Sequence, residues 1–254
     1  LQDIERATQL IAKAQAVGLK VTTEAYPYGT GSTFLGATFF VDPDFVARTG
    51  SGYSDIEIVS SQHRLSDAAE LQQARAANGQ SLVLWHFLDT ENNARHRRML
   101  DASVLFPGSA IASDAMPWSN LDGSLYLGME WPLGRDKTAH PRSSGTFTRF
   151  LKRWCLDRGV VDMVDAIAKC TLVPAQIIES TAPIFKRKGR IGVGADADIV
   201  VFDPDTLEDR ATFTEMNRPS TGMVHVLVNG TPVISNRELV LDAAPGRPIR
   251  RGDA

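Results

Sequence analysis

Apolar residues recur at helical spacing through the first twenty positions. Ile4, Ala7, Ile11 and Ala14 share one face, Leu10 adjoins it and Gly18 ends it. The pattern predicts a helix that begins almost at the first residue. "LKVTTEAYPYGTGSTFLG" then reads as a short strand over 19–25 running into a loop rich in Gly, Ser, Thr and Pro. Residues 36–80 mix short apolar runs with polar helical stretches such as "LSDAAELQQARAAN" and read as a long insertion. "SLVLWHF", 81–87, is a continuous apolar strand, "TENNARHRRML" a polar helix with Thr90 at its N-cap, and "GSAIASD" a further strand. Strand, helix and strand at this spacing predict parallel β/α units joined by right-handed crossovers.

Periodicity is lost over 119–145, where Trp, Pro, Gly and charge collect; a loop this long is a lid, a binding loop or disordered. Helices are predicted in "TFTRFLKRWCLDRG", "VVDMVDAIAKC" and "LVPAQIIEST", with Pro174 tolerated in the first turn of the last. From 189 the pattern turns to strands. "GMVHVLVNGTPVISN" holds two of them around Asn229-Gly230, a strong hairpin signal. Two units are therefore expected: an α/β domain over 1–188, with its insertion at 36–80 and a lid-like loop at 119–139, and a small β module over 189–254.

Composition narrows the class of partner. The 254 residues can bury a large core, and 43% hydrophobic with 22% charged residues is ordinary for a soluble protein. A net charge of −3 gives no reason to expect nucleic acid or a membrane surface, and no apolar run approaches membrane-spanning length. Cys155 and Cys170 lie in helical surroundings, which favours core thiols in a reduced, cytoplasmic setting. Leu1 is not a methionine and helix begins at once, so a piece of a longer protein is expected.

Three short stretches carry candidate chemistry. "IASDAMPW" brings Asp114 to the end of an apolar strand; in parallel β/α folds ligands gather there, but a capping aspartate has the same position. "HPRSSGTF" offers the planar donor fork of Arg142, suited to a carboxylate, beside His140; an ordinary loop arginine paired with an acid reads the same way. "YPYGTGST" places Tyr26 and Ser32 after the first strand, for a polar substrate group or for packing. Of the five histidines, His63, His86, His96, His140 and His225, none forms a His-x-His pair; His96 reads as solvated, His225 as structural and His86 as a packing residue. By spacing rules, no metal site is complete.

Together "EAYPYGTGST", "IASDAMPW", "HPRSSGTF", "GRIGVGADADIVVFDP", "VLVNGTPV" and "PGRPIR" resemble the C-terminal part of the N-acyl-D-amino-acid deacylases of the amidohydrolase superfamily. The resemblance implies the C-terminal part of a distorted (β/α)8 barrel beside a small β-sandwich. It implies one or two zinc ions held by a cysteine and histidines that lie upstream of Leu1, activating water against an N-acyl amide. Carried over, Asp114 would be general base and then acid, and a weak metal ligand. Arg142 would grip the substrate α-carboxylate with Tyr26, Ser32 would line the pocket, and His140 would bind substrate or support the loop. The segment between Asp114 and His140 is longer than in the family. Half a barrel exposes unpaired edges and an apolar face, so the N-terminal half is expected to accompany this chain, as a separate polypeptide or a missing segment. The competing readings are a cyclic-amide hydrolase of dihydroorotase or hydantoinase type, which "HPR" and "YPY" fit less well, and a non-catalytic binding module.

Overall fold

The computed structural model describes residues 2–250. Its elements run α1 (Gln2–Ala16), β1 (Glu24–Ala25), β2 (Gly31–Phe34), α2 (Phe45–Thr49), β3 (Ile56–Ile58), β4 (His63–Arg64), α3 (Ala68–Asn78), β5 (Leu82–Trp85), α4 (Ala94–Val104), β6 (Ala110–Ile111), α5 (Arg142–Phe150), α6 (Met163–Cys170) and α7 (Leu172–Ile178). Four strands close the order: β7 (Ile199–Phe202), β8 (Met223–Val228), β9 (Thr231–Ser235) and β10 (Glu238–Leu239).

Gly18 ends α1 with φ at 85°, a conformation that glycine adopts at no steric cost. Ile4, Ile11 and Ala14 are half-buried, whereas Leu10 is 55% exposed. The cap of α4 is Asn93, not Thr90. Asn93 Oδ1 accepts from the N–H groups of Arg95 and His96, while residues 89–92 form their own turn on Asp89. Another difference lies at α5, which starts at Arg142 rather than after the glycine of "HPRSSG". Pro141 sits at its entry, where a missing N–H costs nothing.

β1 and β6 pair in parallel, Glu24 opposite Ala110 and Ala25 opposite Ile111. They are the only parallel pair among the described strands, and β5 does not join them. It lies antiparallel between β2 and β3, with Trp85 opposite both Gly31 and Ile56. The expected parallel unit from β5 through α4 to β6 is thus corrected. Val83 and Leu84 are fully buried, and a continuous apolar run reports burial on both faces, not strand direction.

The insertion folds around its own core of Leu35, Phe40, Phe45, Ile56, Leu65 and Leu71 against Val83. A second core places Met99 and Val104 of α4, Ile111 of β6 and Phe150 of α5 in one cluster with Trp154. It fixes the end of β6 against α5, which continues as π-helical turns over Leu151–Asp157.

β7 to β10 form one antiparallel sheet. Asn229 and Gly230 turn between β8 and β9 with φ of 49° and 78°, the two positive values that a two-residue hairpin of this type needs. None of the residues of this sheet is fully buried, and the described residues supply one layer here rather than the two of a sandwich.

Candidate active site

Because β1 and β6 run parallel, the residues after them leave the sheet side by side. Tyr26 directly follows Ala25, and Asp114 lies shortly beyond Ile111. Asp114 has φ at 46°, a left-handed conformation that Asp and Asn tolerate better than other side-chain-bearing residues. Its carbonyl and its carboxylate engage one guanidinium. Arg142 Nε donates to Asp114 O at 2.6 Å, and Arg142 Nη2 lies 2.7 Å from Asp114 Oδ2. The arginine side chain is 1% exposed and the aspartate 63%, so a buried cation holds an accessible carboxylate. The guanidinium also stacks on the Tyr26 ring at 4.7 Å. Arg142 Nη1 is buried with no hydrogen-bond partner among the described residues. Such a group is costly to leave unpaired and is suited to an incoming acceptor.

The pair borders a cavity of about 500 Å³ whose wall includes Tyr26, Ser32, Asp114 and Arg142. Ser32 Oγ donates to Val83 O at 3.1 Å. Burial pushes the Tyr26 phenol up, opposed by Arg142 and reinforced by Asp114, so its hydroxyl stays a neutral donor.

His140 is not in this wall; it lies fully buried behind it. Its Nδ1 accepts the Arg142 N–H at 2.9 Å and its Nε2 donates to Thr30 O at 3.0 Å. A carbonyl only accepts and an N–H only donates, so the ring is neutral with its proton on Nε2. Burial first, and the Arg142 charge second, push its pKa down to about 3. The unfolded histidine titrates near 6.5. Between these values the unfolded chain takes up a proton that the native state refuses, so stability falls as pH drops from 6.5 toward 3 and is fully present above 6.5. His140→Asn keeps an acceptor for the Arg142 N–H. It is expected to flatten the dependence of Tm on pH across that window, measured by thermal denaturation.

Contacts distant in sequence complete the frame. Thr30 Oγ1 lies 3.0 Å from His86 Nδ1, and His86 Nε2 lies 3.2 Å from Glu57 Oε2. Glu57 accepts, so His86 donates from Nε2 and accepts the Thr30 hydroxyl at Nδ1. Arg149 lies two helical turns beyond Arg142 and stacks on Tyr28 at 4.5 Å, donating to Pro27 O at 2.9 Å and to Asp209 Oδ2 at 3.0 Å. An arginine pair at that spacing, matched to the two tyrosines of "YPY", was the available signal in the sequence. Gly145 fits because an added Cβ would stand 2.9 Å from the Tyr28 hydroxyl. The Arg149 and Asp209 side chains are 14% and 2% exposed. Asp209→Ala is expected to cost about 3–5 kcal/mol, because Arg149 is left buried without its partner; denaturant unfolding reads the loss.

The described residues do not make a metal site. No group of three or more His, Cys, Asp or Glu side chains converges among them, and Asp114 alone faces the cavity as one carboxylate. Cys155 and Cys170 are free thiols, and burial pushes Cys170 up to about 12. His96 is not merely solvated: its Nδ1 accepts the Asp89 N–H at 2.9 Å. His225 Nδ1 accepts the Asn236 N–H at 3.3 Å within the C-terminal sheet.

The amidohydrolase family model matches residues 1–234. The chain belongs to the amidohydrolase family. Over 252 residues this amidohydrolase chain is 29% identical to the N-acyl-D-glutamate deacylase of Alcaligenes xylosoxydans xylosoxydans, covering 95% of this chain and 43% of that protein. A solved N-acyl-D-glutamate deacylase from Bordetella bronchiseptica, complexed with zinc and a phosphonate mimic of the tetrahedral intermediate, superposes with a TM-score of 0.64. Its identity is 27%, over 98% of this chain and 45% of that one. A D-aminoacylase with a binuclear metal center superposes with a TM-score of 0.68 at 22% identity, covering 93% of this chain and 44% of that one, which shows a shared α/β fold. The chain spans less than half the length of these relatives.

Proposed function

We propose that the whole protein hydrolyses the amide bond of N-acyl-D-amino acids, and that this stretch supplies the substrate clamp and the proton-transfer carboxylate. The observation that carries the reading is the meeting of Arg142, Tyr26, Ser32 and Asp114 on one cavity beyond the ends of β1 and β6. The buried fork of Arg142, with its unpartnered Nη1, suits an α-carboxylate, and the Tyr26 and Ser32 hydroxyls border the same space. Asp114 takes a proton from the attacking water as the water oxygen bonds to the acyl carbon. It returns the proton to nitrogen as the C–N bond breaks, leaving a carboxylic acid and a free amino acid. His140 positions Arg142 and does not touch substrate.

In this reading the chain is the closing part of a (β/α)8 barrel, with the division near 188 separating the barrel from the β module. The N-terminal half completes both the barrel and a β-sandwich. Apolar side chains left open on α1 and α6, such as Leu10 at 55% and Val164 at 78% exposure, fit a further layer of protein. One or two zinc ions are held by residues of that half; zinc in such sites acidifies water and polarises the carbonyl. A cytoplasmic setting suits the free thiols, and no described helix is long and apolar enough to cross a membrane.

The test is release of free D-amino acid from N-acyl-D-amino acids by the full-length protein, with the L-enantiomers as controls. Release from the D-substrates is expected. A folded, zinc-containing protein that releases none overturns the reading in favour of a binding module.

A further inference from the structure

We infer that Ser143 is a positioning residue that sets where the Asp114 carboxylate stands. The inference rests on the reading above, in which Asp114 moves the proton of the attacking water. Residues 112–118, which carry Asp114, form neither helix nor strand. Ahead of them the Ala112 N–H donates to Ala25 O at 3.1 Å, and after them Ser119 pairs with Thr138. Among the described residues, two consecutive side chains of α5 hold the backbone between these anchors. Arg142 Nε takes the Asp114 carbonyl. Ser143 takes both main-chain polar groups of Met116, two residues further on: its Oγ accepts the Met116 N–H at 3.1 Å and donates to Met116 O at 3.1 Å. A serine hydroxyl has one proton to give and lone pairs to receive, so both roles are filled at once.

The support under this hydroxyl is a closed helical turn. The Ser143 N–H donates to His140 O at 2.9 Å, and the N–H groups of Ser144 and Gly145 donate to Pro141 O at 3.1 and 2.9 Å. His140 and Pro141 are both buried, so the turn is anchored from behind. The Met116 and Trp118 side chains pack against the cluster of Val59, Leu82, Leu84 and Met216, which holds the far end of the segment. Ser143 is not in the cavity wall, so its effect runs through Asp114. The Asp114 side chain is 63% exposed and its backbone is left-handed, so its direction depends on the chain either side of it. A displacement of about 1 Å in such a group can cost on the order of 10²-fold in turnover. Removing the hydroxyl leaves the contacts of Arg142 in place, so the loss falls on turnover and not on binding.

The experiment measures kcat and KM of full-length wild type, Ser143→Ala, Ser143→Thr and Ser143→Val, with thermal denaturation to show that each is folded. The substrate is whichever of the N-acetyl-D derivatives of phenylalanine, leucine, glutamate and aspartate the wild type hydrolyses fastest. Ser143→Ala is expected to lower kcat at least about tenfold with KM within about threefold. Threonine and valine share a shape, and only threonine keeps the hydroxyl. Ser143→Thr is therefore expected within about fivefold of wild-type kcat, and Ser143→Val to fall with Ser143→Ala. An unchanged kcat in Ser143→Ala, or equal losses in the threonine and valine variants, overturns the inference and leaves the hydrolase reading standing. Hydrolysis of none of the four by the wild type overturns the hydrolase reading itself. Amide hydrogen exchange at Met116 reads the hydroxyl contact without turnover. It is expected to quicken at least about tenfold in Ser143→Ala, and an unchanged rate also overturns the inference.

Discussion

Asp114→Asn is expected to lower kcat of the full-length protein by about 10²- to 10⁴-fold, with KM for the proposed N-acyl-D-amino acid substrates changed only a few-fold. The substitution is conservative in every respect except proton transfer. Asparagine tolerates the left-handed backbone at φ 46° as readily as aspartate. Its main-chain carbonyl still accepts from Arg142 Nε, and its amide oxygen can replace Oδ2 opposite Nη2. In the proposed mechanism the clamp therefore survives while the acceptor of the water proton is lost. Steady-state kinetics on folded protein decides the matter, and turnover near wild type would remove Asp114 from the chemistry.

Arg142→Lys has the second large effect, and on the other kinetic constant. KM for carboxylate-bearing substrates is expected to rise about 10- to 100-fold, with a smaller change in kcat. Lysine carries its donors on one nitrogen, so it cannot reproduce contacts that Arg142 makes from separate nitrogens to Asp114 O and Oδ2, and it loses the planar stacking on Tyr26. A buried side chain is being changed, so a general loss of packing must be told apart from a lost clamp. The control is an N-acyl amine without a carboxylate: its KM should move little. An equal rise for both substrates would show that Arg142 organises the site without gripping the acid.

Local signals located α1, its stop at Gly18, the Asn229-Gly230 hairpin and the strand ends that deliver Tyr26 and Asp114. Each is written in a few adjacent residues. The direction of β5 is not, because Val83 and Leu84 are buried on both faces and such a strand looks alike in parallel and antiparallel sheets. The start of α5 was hidden by two residues that usually break helices. Pro141 is harmless at a first turn, and Gly145 is present because Tyr28 and Asp209 press against it. The supporting frame was invisible for a different reason. His86 and Thr30 are 56 residues apart and Arg149 and Asp209 are 60 apart, so no periodicity or spacing rule links them. Pairing of β2 with β5 and packing of the segment after β7 bring these partners together. Sequence alone showed Arg142 and Asp114 as separate candidates, and the structure joins them as one ion pair at a cavity.

The most direct measurement compares kcat/KM of the wild-type full-length protein for N-acetyl-D-phenylalanine and for its C-terminal carboxamide. A buried arginine with an unpartnered N–H predicts that the acid is preferred by at least about thirtyfold. Equal rates for the two, or no hydrolysis of the acid, would contradict the account.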